Sequence, residues 1–324
     1  MREIGLEVGV STVTVSKALN GKDGVSTEVR QKILEKAAEM GYSVPGSDKC
    51  LDIGVLIPSR YFDANSFYSM LCRLVVEKMT DRGHFSLLEI ITPEMEAKEQ
   101  LPNLLRSRRV NGIIMLGQPD KGYIRRIVEE ALPVVFLDFY EESASADAVV
   151  GDSVYGTYRL TSHLIRNGHT RIGFVGERLA TSSIMDRYLG YCRAMISHGL
   201  PLREDWVIAD RDKKGNLFEQ MSLPAEMPTA FVCSCDLTAA VLMKQLLALG
   251  LEIPRDVSVV GFDDFCMGME PAVPLSTFRM DYGAMAAKTV QLLEERCQNT
   301  DAFFNRVVVC GQPVYRESEG RPKE

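Results

Sequence analysis

Residues 9–21, Gly9-Val10-Ser11-Thr12-Val13-Thr14-Val15-Ser16-Lys17-Ala18-Leu19-Asn20-Gly21, decide how the rest of the chain is read. A short helical segment, residues 2–8, runs into Gly9, where the backbone turns at positive φ, and Ser11 then stands as N-cap of a second helix. Two short helices joined in this way make a helix-turn-helix. One side of the second helix carries Thr12, Thr14, Ser16 and Lys17, and Asn20-Gly21 closes it. Such a small, hydroxyl-rich surface suits a groove walled by phosphates. Val8, Val10, Val15 and Leu19 face inward. A third helix is expected over 27–40 behind Ser26 as N-cap, because Val29, Ile33, Leu34, Ala37 and Met40 recur at helical spacing and Gly41 stops the run.

The two segments GVSTVTVSKALNG and VSTEVRQKILEKAAEMGY, in that order, resemble the headpiece of the lactose-repressor family of bacterial transcription regulators. The resemblance implies that Thr12 and Val13 choose the operator sequence, and that Thr14, Ser16 and Asn20 contact phosphates. Lys17 stands where arginine is commoner. Side-chain chemistry adds detail: Val13 reads a base only through a thymine methyl, Thr12 does this and also hydrogen-bonds, and Lys17 lacks the bidentate fork of arginine. For Thr14 and Ser16 a plainer role, capping and solvating an exposed helix, stays open. Over residues 1–45, Arg2, Lys17, Lys22, Arg30, Lys32 and Lys36 are matched by Glu3, Glu7, Asp23, Glu28, Glu35 and Glu39. One neutral headpiece releases few counterions, so two copies are expected to act together. Against the family pattern, the first helix begins without its preceding cap, so either the start lies upstream of Met1 or this headpiece is looser than most. The linker, 46–52, is also shorter than usual and carries no apolar wedge for the minor groove.

The chain has 324 residues, ample for two or three domains, with 46% hydrophobic and 25% charged content and a net charge of −7. That charge argues against a protein that coats nucleic acid without selectivity. There is no apolar run of bilayer length and no signal-peptide core, so a cytoplasmic protein with no membrane partner is expected. Cys50, Cys72, Cys192, Cys233, Cys235, Cys266, Cys297 and Cys310 show no C-x-x-C spacing and read as reduced thiols. Four scattered histidines predict no metal site. Nucleophile-elbow, Walker and dinucleotide-binding motifs are all missing, so neither an enzyme nor a cofactor is expected, and no residue is assigned as catalytic.

From residue 53 the pattern becomes alternating apolar runs and amphipathic helices. Strands are expected at 53–57, 86–91, 112–116 and 134–137, with helices near 67–82, 94–108 and 122–131. A second set follows, with strands at 172–175, 207–208, 230–234 and 257–261 and helices at 154–167, 185–199, 217–221 and 237–249. A helix over 282–298 and a strand over 306–310 close the chain. Short strands that are apolar throughout belong in parallel sheets covered on both faces. The fold class is therefore α/β: a three-helix headpiece followed by two doubly wound units in tandem. Ile53-Gly54-Val55, the run from Gly168 to Gly176, Arg187 with Gly190-Tyr191, the run from Ile253 to Asp264, and Pro274-Leu275-Ser276-Thr277 extend the family resemblance over nearly the whole chain. The resemblance implies a two-lobed, periplasmic-binding-protein-like core over 53–324. Lobe 1 would comprise about 53–150 and 281–311 and lobe 2 about 151–280 and 312–324, with three crossings between them.

Ligands of doubly wound sheets bind beyond the carboxyl ends of the strands. Phe62 and Tyr68 follow the first strand, Asp138 ends the fourth, and Ser183 and Arg187 open the helix after Gly176. Asp236 and Asp263 end the strands at 230 and 257. Carboxylates and an arginine around an aromatic face suit a polyhydroxylated ligand. Other roles stay open for some of these residues. Arg187 has Asp186 beside it as an ion-pair partner, Asp236 is placed to cap the helix at 237, and one of Asp263 and Asp264 is placed for an Asx-type turn. The reading that results is a DNA-binding transcriptional regulator, a repressor. It is a homodimer on a pseudo-palindromic operator, controlled by a small polar effector for which a sugar is the first candidate. Two alternatives share the fold: a small-molecule sensor with degenerate DNA binding, and a solute-binding receptor.

Overall fold

The computed structural model describes residues 2–19, 24–39, 50–63, 66–212, 215–265 and 270–323. They fall into two compact units divided between Leu51 and Asp52. Asn20, Met40 and the linker up to residue 49 lie outside the described residues.

The first unit holds α1 (Arg2–Val8), α2 (Thr12–Leu19) and α3 (Thr27–Glu39). Gly9 takes φ 74°, and the Ser11 hydroxyl accepts from the Thr14 amide at 3.1 Å, which caps α2. The Val10 amide bonds back to the Gly5 carbonyl at 2.8 Å. The approach is so close that a Cβ on Gly5 would lie 2.7 Å from the Val10 carbonyl oxygen. Ile4, Val15, Ala18, Ile33 and Ala37 form the buried centre, with Val8, Val10, Val25, Val29 and Leu34 packed around it. Arg30 on α3 donates to the Ala18 carbonyl at 3.2 Å, tying α3 to the end of α2.

The second unit runs β1 (Asp52–Pro58), α4 (Phe67–Asp81), β2 (Phe85–Ile91), α5 (Pro93–Ala97), α6 (Asn103–Arg106), β3 (Gly112–Leu116), α7 (Lys121–Val128), β4 (Val134–Leu137) and β5 (Asp147–Gly151). It continues with α8 (Ser153–Arg166), β6 (Ile172–Val175), α9 (Ser182–Ser197), β7 (Val207–Ile208), β8 (Ala230–Cys233), α10 (Asp236–Ala248) and β9 (Ser258–Val260). The last elements are β10 (Thr277–Met280), α11 (Tyr282–Gln298), β11 (Arg306–Val309) and β12 (Gly311–Val314). A six-stranded sheet has the order β11-β5-β4-β3-β1-β2 and a four-stranded sheet the order β7-β6-β8-β9; every pairing in both is parallel. All residues of β3, β4, β6, β8 and β9 are buried, as strands covered on both faces must be.

The chain leaves the first sheet after β5, builds the second, and returns through β10 to α11 and β11. It then crosses again through β12, which pairs antiparallel with β10. Lobe 1 is thus completed by a late segment. Arg296 on α11 fixes that segment to β5 through a buried ion pair with Asp147, at 2.7 and 3.1 Å, while donating to the carbonyls of Thr300, Ala302 and Phe303.

Two expected helices differ. The span 94–108 breaks into α5 and α6, because Glu99 adopts φ 48° and Pro102, with no amide hydrogen, precedes the second piece. The span 217–221 is not helical. Arg211 and Leu217 form an antiparallel bridge, and the Phe218 amide bonds to the Asp210 carbonyl at 2.8 Å, folding the segment back on the end of β7. Five residues are too few to repay helix nucleation against that pairing.

Candidate functional site

The strand ends of both lobes line a cavity of about 430 Å³. Its centre is Arg187, buried on α9. Thr181 caps this helix by accepting from the Ile184 amide at 3.2 Å. One turn on, Gly190 lets α9 press against the backbone of α8 at Val154, where no Cβ fits. The Arg187 guanidinium donates to the Ser234 carbonyl at 2.5 Å and to Asp263 Oδ1 at 2.9 Å, and it lies 4.2 Å over the Phe262 ring. Among the described residues its Nε has no hydrogen-bond partner although it is buried. Burial alone would lower the pKa of this group, but Asp263 and Asp138 outweigh that and hold it raised.

Both carboxylates sit in left-handed backbone, Asp138 at φ 70° and Asp263 at φ 106°. Such strain persists only where neighbours impose it. The Asp138 amide is held by the Val149 carbonyl at 2.9 Å, and the Asp263 amide by the Phe278 carbonyl at 3.0 Å. Tyr282 donates toward Asp263, 3.1 Å from its carbonyl and 3.2 Å from Oδ1. Tyr68 donates to Asp138 Oδ2 at 2.9 Å. Burial pushes Asp138 up to about 6, against the pull of Arg187; it also raises Asp263, again opposed by Arg187. Aromatic rings make one wall: Tyr61 lies 4.8 Å from Tyr68, and Phe67 lies 4.9 Å from Tyr282 and 5.8 Å from Phe265.

Direct bonds join the lobes at the rim. Gln118 Oε1 accepts from the Ser182 amide at 2.8 Å, Ser182 Oγ accepts from the Tyr140 amide at 3.2 Å, and the Tyr140 hydroxyl donates to Asp186 at 2.9 Å.

Tyr68, Asp138, Ser183, Arg187 and Asp263 come together on the cavity wall; Phe62 and Asp236 do not. Phe62 turns outward to a shallow groove with Ser69, Cys72 and Val76 on α4, because the one-turn helix Ser59–Tyr61 directs Tyr61 inward instead. Asp236 lies behind the wall, accepting from Thr277 Oγ1 at 2.6 Å and the Phe265 amide at 2.8 Å, and burial pushes it up to about 8. It begins α10 rather than capping it. Arg187 pairs with Asp263, not Asp186, while Asp264 turns away to Arg279 and Arg316, both at 2.6 Å.

Sequence reading missed Arg60, Tyr61, Phe67, Arg211, Asn216 and Phe265 on this wall. The signal for Arg211 was present, since the strand-end rule applied to 207–208 leads directly to Asp210 and Arg211. Asp210, fully buried, accepts from Arg211 at 2.8 and 3.0 Å, from Ser234 at 3.0 Å, from Thr238 at 2.6 Å and from the Glu177 amide at 2.9 Å.

Among the α2 side chains described, Thr12, Val13 and Lys17 are exposed, Thr14 and Ser16 are half-buried, and Val15 and Ala18 are buried. Val13 is 63% exposed despite being apolar. The Thr14 hydroxyl shares a 2.8 Å bond with Ser11 Oγ. Lys32 and Glu28 pair at 3.0 Å and Lys36 and Glu7 at 3.3 Å, so part of the basic charge is spent within the unit.

Residues 1–44 match the family model for bacterial regulatory proteins of the lacI family, and residues 161–319 match that for the periplasmic binding protein-like domain. The chain is 28% identical to the ribose operon repressor of Haemophilus influenzae, over 98% of each chain. It is 27% identical to the HTH-type transcriptional repressor PurR of Glaesserella parasuis, over 92% of this chain and 90% of that one. Among solved structures, the lac repressor dimer bound to operator and the anti-inducer ONPF superposes with a TM-score of 0.68 at 21% identity, over 97% of each chain.

Proposed function

We propose, for a chain that belongs to the lacI family of bacterial regulatory proteins, that it is a cytoplasmic, sequence-specific DNA-binding repressor controlled by a small polar effector in the interlobe cleft. The observation that carries this reading is Arg187, a buried arginine between Asp263 and Asp138 with an N–H that has no partner among the described residues, at the strand ends of both lobes. Its donors and the carboxylate acceptors match vicinal hydroxyls, and the Tyr61–Tyr68 wall matches the apolar face of a sugar ring. Two protomers present two copies of α2 to a pseudo-palindromic operator, with Thr12, Val13 and Lys17 toward the bases and Thr14, Ser16 and Asn20 toward phosphates. Effector binding favours one arrangement of the lobes, and that arrangement changes the spacing of the headpieces. DNA must bias the same equilibrium in return.

The test is selection of DNA sites by the full chain at low salt, followed by titration with sugars. A selected pseudo-palindrome whose affinity changes with a sugar is expected; no sequence-selective binding overturns the reading. A second reading, a sensor with degenerate DNA binding, draws on the balanced charge of the headpiece, six basic against six acidic residues over 1–45. Effector binding without any selected site is its signature.

A further inference from the structure

We infer that Arg108 and Arg109, with Arg106 beside them, form a second DNA contact, on lobe 1 rather than on the headpiece, that holds backbone phosphates of the same duplex. This rests on the DNA-binding reading above.

Lobe 1 begins where the linker ends. There the Asp52 amide donates to Asn111 Oδ1 at 2.8 Å and the Asn111 amide donates to the Asp52 carbonyl at 2.7 Å. The loop before β3 is thereby tied to the residue at which the headpiece is tethered. Asp52, Leu87, Arg108, Arg109, Val110 and Asn111 line one groove at this place. Both arginines are exposed, as is Arg106 at the end of α6, and none of the three guanidiniums has an ion pair or hydrogen bond among the described residues. Asp52 is the one carboxylate in the groove lining among the described residues. The linker adds Asp48 and Lys49, outside the described residues, whose charges cancel.

The backbone gives a second sign. Arg108 adopts φ 51°, its amide bonded to the Leu105 carbonyl at 3.1 Å, in a turn where glycine would sit without strain. No packing requires an arginine there, since its side chain is exposed. Strained positions of this kind cluster at binding sites.

Charge identifies what the arginines hold. The headpiece carries six basic and six acidic residues over 1–45, so it releases few counterions by itself. Unpaired guanidiniums on lobe 1 supply that missing attraction, and each can hold a phosphate through two N–H groups. The tether delivers the duplex: extended chain from Glu39, the end of α3, to Asp52 spans at most about 45 Å. DNA gripped by the headpiece is therefore at high effective concentration around the groove. Asn111 Nδ2, with no bond among the described residues, is a further phosphate donor.

The experiment follows DNA affinity of the full chain against salt concentration by fluorescence anisotropy, on a duplex carrying the selected site and on a duplex of random sequence. Arg108→Gln/Arg109→Gln should keep the parent Tm, weaken both duplexes alike and flatten the slope of log Kd against log salt by about four, one for each guanidinium lost from a dimer. Arg108→Lys/Arg109→Lys should retain most of the slope, because the charges stay. Asp52→Asn, which removes the carboxylate from the groove, should tighten both duplexes. An unchanged slope in the glutamine variant, with the parent still selecting its site, overturns this inference alone. Equal losses in the lysine and glutamine variants with a lowered Tm overturn it too, since they mark a structural role. If no site is selected but the glutamine variant loses affinity for the random duplex, the repressor reading fails and the lobe 1 contact stands. No DNA binding by the parent at low salt overturns both. Should the glutamine variant fail to fold, Asp52→Asn decides, and unchanged affinity in it overturns the inference.

Discussion

Arg187 on α9 and Asp263 after β9 form a buried ion pair, 2.9 Å from Nη2 to Oδ1, in which the carboxylate partner occupies left-handed backbone, uncommon outside glycine. Removing one member leaves the other charged and buried, which costs about 3–5 kcal/mol. Asp263→Ala is therefore expected to lower stability in urea unfolding and to abolish the effector-induced Tm shift. Asp263→Asn should retain more stability while still losing the shift. A full effector response in both variants would place the binding site elsewhere.

Asp236 supplies a pH signature. Burial, with Asp263 adding to it, pushes its carboxyl up to about 8, so the folded chain holds the proton where the unfolded chain has released it. The folded state binds more protons between about pH 4 and pH 8, and the contribution of Asp236 to stability therefore falls as pH rises through that window and is flat above it. Relative to the parent, Asp236→Asn should gain stability from pH 5 to pH 8 and then track it. Parallel curves over this range would contradict the assignment.

On α2, neighbouring positions should separate folding from recognition. Val13 is exposed and Val15 is fully buried in the small core. Val15→Ala should cost about 2 kcal/mol and, in so small a unit, abolish DNA binding while leaving effector binding intact. Val13→Ala should leave stability alone and change the selected DNA sequence; an unchanged selection profile would remove Val13 from the reading surface.

At the rim, Tyr140→Phe deletes the 2.9 Å donor to Asp186 and leaves every ring contact in place. The loss of about 1 kcal/mol from the closed arrangement predicts effector binding about fivefold weaker, measurable by calorimetry. Unaltered affinity would mean that this bond does not bias closure.

Much of this was legible from residue pattern. The apolar runs at 53–57, 112–116 and 172–175 announced parallel strands because both of their faces are covered, and Ser11, Gly9 and Val15 announced the headpiece through cap, turn and core. The strand-end rule brought Tyr68, Asp138, Ser183, Arg187 and Asp263 to one wall. It misplaced Asp236 because a residue at a strand end points either into the cleft or behind it, and Thr277, far along the chain, decides which. Phe62 failed for a similar reason: a single helical turn exchanged it for Tyr61. Arg211 escaped notice because β7 has only two residues and advertises its end weakly.

The late return of the chain also bears on how the protein is made. β11 completes the lobe 1 sheet only at residues 306–309, and Ser318 bonds to the Val259 carbonyl in lobe 2 at 2.6 Å. A nascent chain can assemble the headpiece early, but both lobes wait for residues 306–318 to emerge from the ribosome. A stop codon just before residue 306 would thus cripple the two lobes together, leaving a headpiece with no means of being switched.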